Sequence, residues 1–377
     1  MKVVAAIDSF KGSVSSIQAG NAVKDAVLSV YPDAEVIVMP LADGGEGTVE
    51  TLAYGMGGEI VETEVTGPLG EKRMCTYGIV DKMAVMEMAS SSGLPLVPVE
   101  KRNPLYTTTY GVGDMIKDAI KRGCRQFIVG IGGSATNDAG VGMLQSLGFK
   151  FYDKDGNEVK WGGKHVDDIV DIDVSGAIAE LKECEFNIAC DVDNPLCSER
   201  GASHIYGPQK GASIEDVLFL DEALGSFAKV TKEKLGADCA EQAGSGAAGG
   251  LGFAFRAYLN GELKPGVEII LDEIGIDEAL EGADYVVTGE GRIDCQTAMG
   301  KAPAGVAARA KKAGAKVIGI AGCTTDDAHL CNDKGIDAIF PVIDKAMTLE
   351  EAMDTETTIK NIRKCSVQIF NLIKVIG

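Results

Sequence analysis

Five short stretches of the 377-residue chain concentrate carboxylates and hydroxyls, all but the fourth close to glycines: Asp8-Ser9, Asp43, Ser134 with Asn137 and Asp138, Asp191 with Asp193, and Glu290 with Asp294. Two cations, Lys11 and Arg292, belong to the same stretches. Fixed cations and oriented N–H groups suit a phosphate or a carboxylate. Carboxylates beside such an anion point to Mg²⁺, which takes oxygen ligands and keeps several waters. Each stretch alone has a plainer reading, because Asp and Ser cap helices routinely and exposed Lys and Arg are ordinary surface. The fullest stretch is Gly130-Ile131-Gly132-Gly133-Ser134-Ala135-Thr136-Asn137-Asp138-Ala139-Gly140. It follows an apolar run at 126–131 and precedes 141–148, which reads as helix with a glycine stop. A strand, a glycine-rich turn and a helix in that order aim unpaired N–H groups and a positive helix end at one spot. The alternative is that the glycines only permit a tight turn.

The elements that must position these groups read as follows. Residues 2–8 form a buried parallel-type strand that ends in Asp8-Ser9-Phe10-Lys11-Gly12-Ser13. Ser15 with Gln18 resembles a capping box, and Ala19, Ala22, Val23, Ala26, Val27 and Val30 give helical spacing. A second strand at 35–39 leads to Ala42-Asp43-Gly44-Gly45-Glu46-Gly47-Thr48 and another helix, the β-α-β-α order of a parallel sheet. Between 60 and 88 the pattern changes to short antiparallel strands joined by turns. A helix at 107–122 precedes the glycine-rich loop, and a strand at 186–190 ends in Asp191-Val192-Asp193. A second glycine cluster at 244–252 opens a helix. From 283 the simple alternation returns: a strand at 285–288 ending in Gly289-Glu290-Gly291-Arg292-Ile293-Asp294, a helix at 303–312, strands at 316–321 and 337–342, and a C-terminal helix capped by Thr348 with Glu351. The expected architecture is α/β with two domains. A doubly wound, Rossmann-like parallel sheet comes from both termini (1–62 and 276–377), with a large inserted mixed α/β domain (63–275) and a cleft between them. In open sheets of this kind ligands bind beyond the carboxyl ends of strands, where all five stretches fall.

Composition narrows the function. Hydrophobic residues make up 45% and charged residues 24%, which suits a globular enzyme. The net charge of −20 disfavours nucleic acid and anionic membranes as partners. The ten cysteines include no C-x-x-C pair, no apolar run is long enough to span a bilayer, and Met1-Lys2 leads straight into Val3 without a signal peptide. Reduced thiols in the cytoplasm are the expected state. Ala135 stands where a dinucleotide fingerprint needs glycine, and Gly300-Lys301-Ala302 lacks the leading glycine and hydroxyl of a P-loop. His165, His204 and His329 have no metal-ligand spacing.

Taken in series, Asp8-Ser9-Phe10-Lys11-Gly12-Ser13, Ala42-Asp43-Gly44-Gly45-Glu46-Gly47-Thr48, Gly132-Gly133-Ser134-Ala135-Thr136-Asn137-Asp138-Ala139-Gly140, Gly246-Ala247-Ala248-Gly249-Gly250-Leu251-Gly252 and Thr288-Gly289-Glu290-Gly291-Arg292-Ile293-Asp294 resemble the motifs of the type I glycerate kinases over essentially the whole chain. The resemblance implies an ATP- and Mg²⁺-dependent kinase that phosphorylates D-glycerate to 2-phosphoglycerate, acting as a cytoplasmic monomer or homodimer. The alternatives are a glycerate 3-kinase giving 3-phosphoglycerate and a non-catalytic sugar-acid-binding protein. On this reading Asp191 orients or deprotonates the substrate hydroxyl, and Lys11 and Arg292 hold a carboxylate or the transferring phosphoryl group. Asp43, Asp193 and Asp294 serve Mg²⁺ or its waters. Asp8, Ser9, Gly132, Gly133, Ser134, Thr136, Asn137, Gly249, Gly250 and Glu290 bind substrate or phosphate.

Overall fold

The computed structural model describes residues 1–42, 44 and 47–376. Its strands in chain order are β1 (Lys2–Ile7), β2 (Glu35–Pro40), β3 (Glu59–Thr66), β4 (Lys72–Val80), β5 (Met83–Glu87), β6 (Gln126–Gly130), β7 (Lys150–Tyr152), β8 (Asp171–Asp173), β9 (Glu185–Ala189), β10 (Glu262–Lys264), β11 (Tyr285–Ile293), β12 (Lys316–Thr324) and β13 (Ala338–Pro341). The chain is an α/β protein in two compact units, one made of Met1–Gly57 with Val267–Gly377 and the other of Gly58–Gly266.

The first unit carries the sheet β13-β12-β11-β1-β2, parallel throughout. Val3 to Ile7 have no exposed surface, as a strand covered on both faces requires. The helix Ser16–Val30, opened by a Ser15–Gln18 capping box, packs with Val3, Ala5 and Ile7 on one face. The helix Ala302–Lys312 packs with Val4 and Ala6 on the other. The chain therefore leaves β1 towards β2 over one face and connects β11 to β12 over the opposite face. The strand order reverses between β1 and β11, and this topological switch point opens a crevice at the carboxyl ends.

Two elements of this unit differ from the sequence expectation. The glycine-rich run after 288 continues as strand, so β11 and β12 reach Ile293 and Thr324. A Cβ on Gly289 would overlap the Ile320 carbonyl, so glycine there permits the close approach of β12 and does not break the strand. The single C-terminal helix is divided into Leu349–Met353 and Thr355–Ile376. The Thr348–Glu351 box caps the first, and Asp354 starts the second by accepting the Thr357 N–H at 2.9 Å.

The second unit carries the sheet β10-β9-β6-β5-β4-β3, with β3, β4 and β5 antiparallel and β5, β6, β9 and β10 parallel. A short antiparallel pair, β7 with β8, lies apart. Phe127, Phe186 and Phe255 form an aromatic chain in its core. The loops after β6 and β9 leave the sheet side by side, the Ile131 N–H donating to the Ala189 carbonyl.

Candidate functional site

In the first unit the switch point is a cavity of about 430 Å³. Asp8, Ser9 and Lys11 reach it from the loop after β1, and Glu290 and Arg292 from β11. Glu290 and Arg292 are two apart on one strand and so share a face. The Asp8 carboxylate accepts its neighbour's Ser9 N–H at 2.7 Å. Glu290 accepts the Thr297 hydroxyl at 2.6 Å on one oxygen, and its other oxygen lies 3.8 Å from the Lys301 ammonium. Arg292 Nε donates to Asp294 at 3.0 Å. The other Asp294 oxygen accepts the Gln296 N–H at 2.9 Å and caps the short helix Cys295–Ala298. The cavity thus gathers Lys11, Arg292 and Lys301 around two nearly buried carboxylates. Its far wall is apolar, formed by Val342, Leu349, Ala352 and Met353.

In the second unit the glycine-rich loop is packed between two others. Leu94 N–H donates to the Gly133 carbonyl, Ala135 N–H to that of Ser92, and Ala139 N–H to that of Gly249. Ala248, Gly249 and Gly250 are all left-handed, with φ of 52°, 68° and 90°. A Cβ on Gly249 would overlap the Thr136 carbonyl and Asn137 Cα. Gly249 and Gly250 therefore brace the loop from behind. Ser134, Thr136 and Asn137 are buried, and Gly132 and Gly133 are exposed. Asn137 donates to the Ser203 hydroxyl at 2.8 Å, while its carbonyl oxygen and the Thr136 hydroxyl are buried without a partner among the described residues. Such orphaned groups are rare and mark a place where a ligand or water belongs.

The helix that follows, Val141–Ser146, is only six residues long, and the chain fills its N-terminus itself. The Asp138 carboxylate accepts the Thr109 N–H and hydroxyl, both at 2.9 Å, the Gly140 N–H at 3.1 Å and the Gly142 N–H at 3.3 Å. The anion that the strand-turn-helix order invites is therefore supplied by Asp138. Burial raises the pKa of this carboxyl, and the four donors oppose that rise.

Asp191 stands two residues beyond β9, exposed, with one oxygen accepting the Gly266 N–H at 3.0 Å. Asp193 is exposed and paired with Arg200 at 3.1 Å. Asp43 lies outside the described residues.

Sequence reasoning passed over Lys301, which lines the first unit's cavity, and two buried side chains. Lys210, in the turn Pro208–Lys210, is 3% exposed and donates to the Thr136 carbonyl at 2.6 Å. Burial pulls its ammonium from the ordinary 10.5 down to about 7, with Asp138 opposing. Nothing in the local pattern marks it. Asn361, on the C-terminal helix, lines the first unit's cavity. Its signal was available: with Thr358 and Ser366 it places polar groups on the buried side of a helix whose apolar spacing runs through Ile362 and Ile369.

Comparison with known proteins bears on the whole chain. The model of the glycerate kinase family matches residues 3–374. A glycerate kinase of Haemophilus influenzae is 47% identical over 94% of both chains. A glycerate 2-kinase of Escherichia coli is 48% identical over 93% of both. A solved structure of a glycerate kinase 2 candidate from Salmonella typhimurium LT2 superimposes with a TM-score of 0.91 at 43% identity, covering 100% of this chain and 98% of that one.

Proposed function

This chain belongs to the glycerate kinase family, and on that premise we propose that it transfers the γ-phosphoryl group of ATP in line to the 2-hydroxyl of D-glycerate, giving 2-phosphoglycerate. The observation that carries this reading is the cavity at the switch point, where Lys11 and Arg292 stand beside Asp8 and Glu290. Phosphoryl transfer asks a protein for positioning and charge stabilisation more than for covalent chemistry. In this reading Lys11 and Arg292 hold the transferring phosphoryl group or the acid's carboxylate, and Asp8, Ser9 and Glu290 orient them. Asp191 orients or deprotonates the hydroxyl. Gly132, Gly133, Ser134, Thr136 and Asn137, braced by Gly249 and Gly250, hold a phosphate or carboxylate, a role favoured by the orphaned Thr136 and Asn137 oxygens.

Mg²⁺ would accompany the nucleotide and neutralise phosphate charge. The described residues do not make its site by themselves: no three His, Cys, Asp or Glu side chains among them are grouped to hold a metal. Asp294 is engaged by Arg292 and Gln296, and Asp193 by Arg200. Small-molecule substrates fit the family, and no helix of the described residues is long and apolar enough to cross a membrane. The ten cysteines are all free thiols, in keeping with a cytoplasmic enzyme.

The test is phosphorus and carbon NMR of the product formed from ATP and D-glycerate. Phosphate coupled to C2 is expected. Coupling to C3 would replace the reading by a 3-kinase, and absence of any phosphorylated product would remove it.

A further inference from the structure

We propose that the first unit's cavity is the nucleotide site and that Asn361 reads the edge of its purine base. This rests on the kinase reading above and goes beyond it by assigning the nucleotide a place and the base a reader.

The cavity is shaped for something longer than the acid. It is lined from the loop after β1, from β11 and β12, and by Val342 just after β13, the carboxyl ends of four adjacent strands. At roughly 4.8 Å between strands that row spans about 14 Å. Glycerate has three carbons, each bearing oxygen, and gains nothing from the wall of Val342, Leu349, Ala352 and Met353. A purine ring, apolar on both faces and polar at its edge, does. Lys11, Arg292 and Lys301 supply the positive charge that a polyphosphate requires.

Asn361 is 5% exposed, lines the cavity, and its amide has no hydrogen-bond partner among the described residues. Thr358, three residues earlier, lies on the same helical face. Its single hydroxyl proton goes to the Ala352 or Asp354 carbonyl, each at 2.9 Å, so at 2.6 Å the Ser13 hydroxyl donates to it. Thr358 has therefore spent its only donor, whereas Asn361 keeps both a donor and an acceptor unspent. That amide opens onto the cavity, where water or a ligand completes it, and a ligand with a matching edge gains both bonds. The adenine edge places its N6 amine beside a ring nitrogen, a donor next to an acceptor, and an Asn amide matches the pair in two hydrogen bonds. A carboxylate would satisfy only the amide's N–H₂ and would face its carbonyl oxygen unfavourably.

Calorimetric titration tests this with wild type and Asn361→Leu, using ATP without glycerate, purine riboside triphosphate (which lacks the N6 amine) and D-glycerate alone. Loss of a two-bond base contact lowers ATP affinity by about 10- to 100-fold. The variant should also cease to distinguish ATP from the riboside analogue while binding glycerate as wild type does. Unchanged ATP affinity, unchanged discrimination, or a loss confined to glycerate would each overturn the assignment. Should Asn361→Leu fail to fold, Ala352→Phe, which fills the apolar end from a partly exposed position, tests the place of the base through lost ATP affinity, and equal wild-type affinity for ATP and the riboside analogue would overturn its reading at the edge. Wild type that binds ATP but forms no phosphoglycerate would sink the kinase reading and leave this one standing. Wild type that binds no ATP would sink this one.

Discussion

Replacing Lys210 by methionine removes a charge that the second unit otherwise buries, and the consequence is a change in how stability depends on pH. In the folded chain the ammonium titrates at about 7, against an ordinary 10.5. At about 1.4 kcal/mol for each pH unit, that gap comes to about 5 kcal/mol. Below about pH 7 lysine is charged in both states, and the folded state bears the full cost of burial. Between about 7 and 10.5 the unfolded lysine keeps its proton and the folded one has lost it. The unfolded state then binds more protons, so stability rises with pH by up to about 1.4 kcal/mol per unit. Methionine has no proton to lose. It forfeits the 2.6 Å bond to the Thr136 carbonyl, a roughly pH-independent loss of about 1 kcal/mol. The assay is urea unfolding followed by fluorescence of Trp161, the chain's single tryptophan, whose ring lies over Gly70 in the second unit. From about pH 6.5 to about pH 9.5 wild type should gain about 3 kcal/mol on the variant. Taking the difference between the two proteins cancels the titrating groups that do not interact with Lys210; Asp138, which does, stays in the difference. A difference flat to within about 0.5 kcal/mol over that range would refute the reasoning, because a charged amine would then have found solvent or a counter-ion in the folded state.

Three further substitutions probe the same loops. Gly249→Ala forces a side chain into a left-handed position against the Thr136 carbonyl, and should cost about 3 kcal/mol or more in the Trp161 unfolding assay. A near-normal midpoint would show that the two loops are not in contact. Asp138→Asn turns one acceptor oxygen into a donor facing N–H groups, and should cost about 2 to 4 kcal/mol in the same assay; a neutral outcome would mean the carboxylate is not the hub of the loop. Asp191→Asn should lower turnover by about 100-fold or more in a coupled ADP-release assay with protein stability unchanged. Turnover close to wild type would take Asp191 out of the base role.

Much of the fold could be read from local pattern because the pattern had a single solution. An apolar run at 3–7 with no polar alternation, too short for a helix and closed by Asp8, fits a strand covered on both faces, and the Ser15–Gln18 box fixes where the next helix begins. The ends of β11 and β12 were less legible. Gly289 and Gly291 look like a turn when read along the chain, and their reason lies across it, in the backbone of β12. The break at Asp354 was hidden for a similar reason. An aspartate inside an apolar-periodic segment is ordinary on a solvated face, and only the Thr357 N–H shows it acting as a cap. At the candidate site, Asp8, Ser9, Lys11, Glu290 and Arg292 were legible because strand ends and glycines flag them, and the structure brings these five to one cavity. Lys210 comes from an element with no such flag and is brought in by tertiary packing alone, while Asn361 carried a subtler one, a polar residue on the apolar side of its helix.

Asp138 and Lys210 together alter what the glycine-rich loop can be asked to do. A helix start accommodates an anion because its first amides lack partners. Here Gly140, Gly142 and Met143 donate to Asp138 or to the Thr109 hydroxyl, so those amides are spent within the chain. A second anion brought to the same place would meet the Asp138 carboxylate, with like charges opposed in a buried setting. Lys210 sits on the Thr136 carbonyl rather than within ion-pair distance of that carboxylate, so it fixes the loop's backbone more than it cancels the charge. What the loop still offers outward is the exposed backbone at Gly132-Gly133, with the Ser134, Thr136 and Asn137 side chains beneath it. Any anion held there is held by individual hydrogen bonds whose geometry Gly249, Asp138 and Lys210 set in advance. The preorganisation therefore resides in residues that need never touch the ligand.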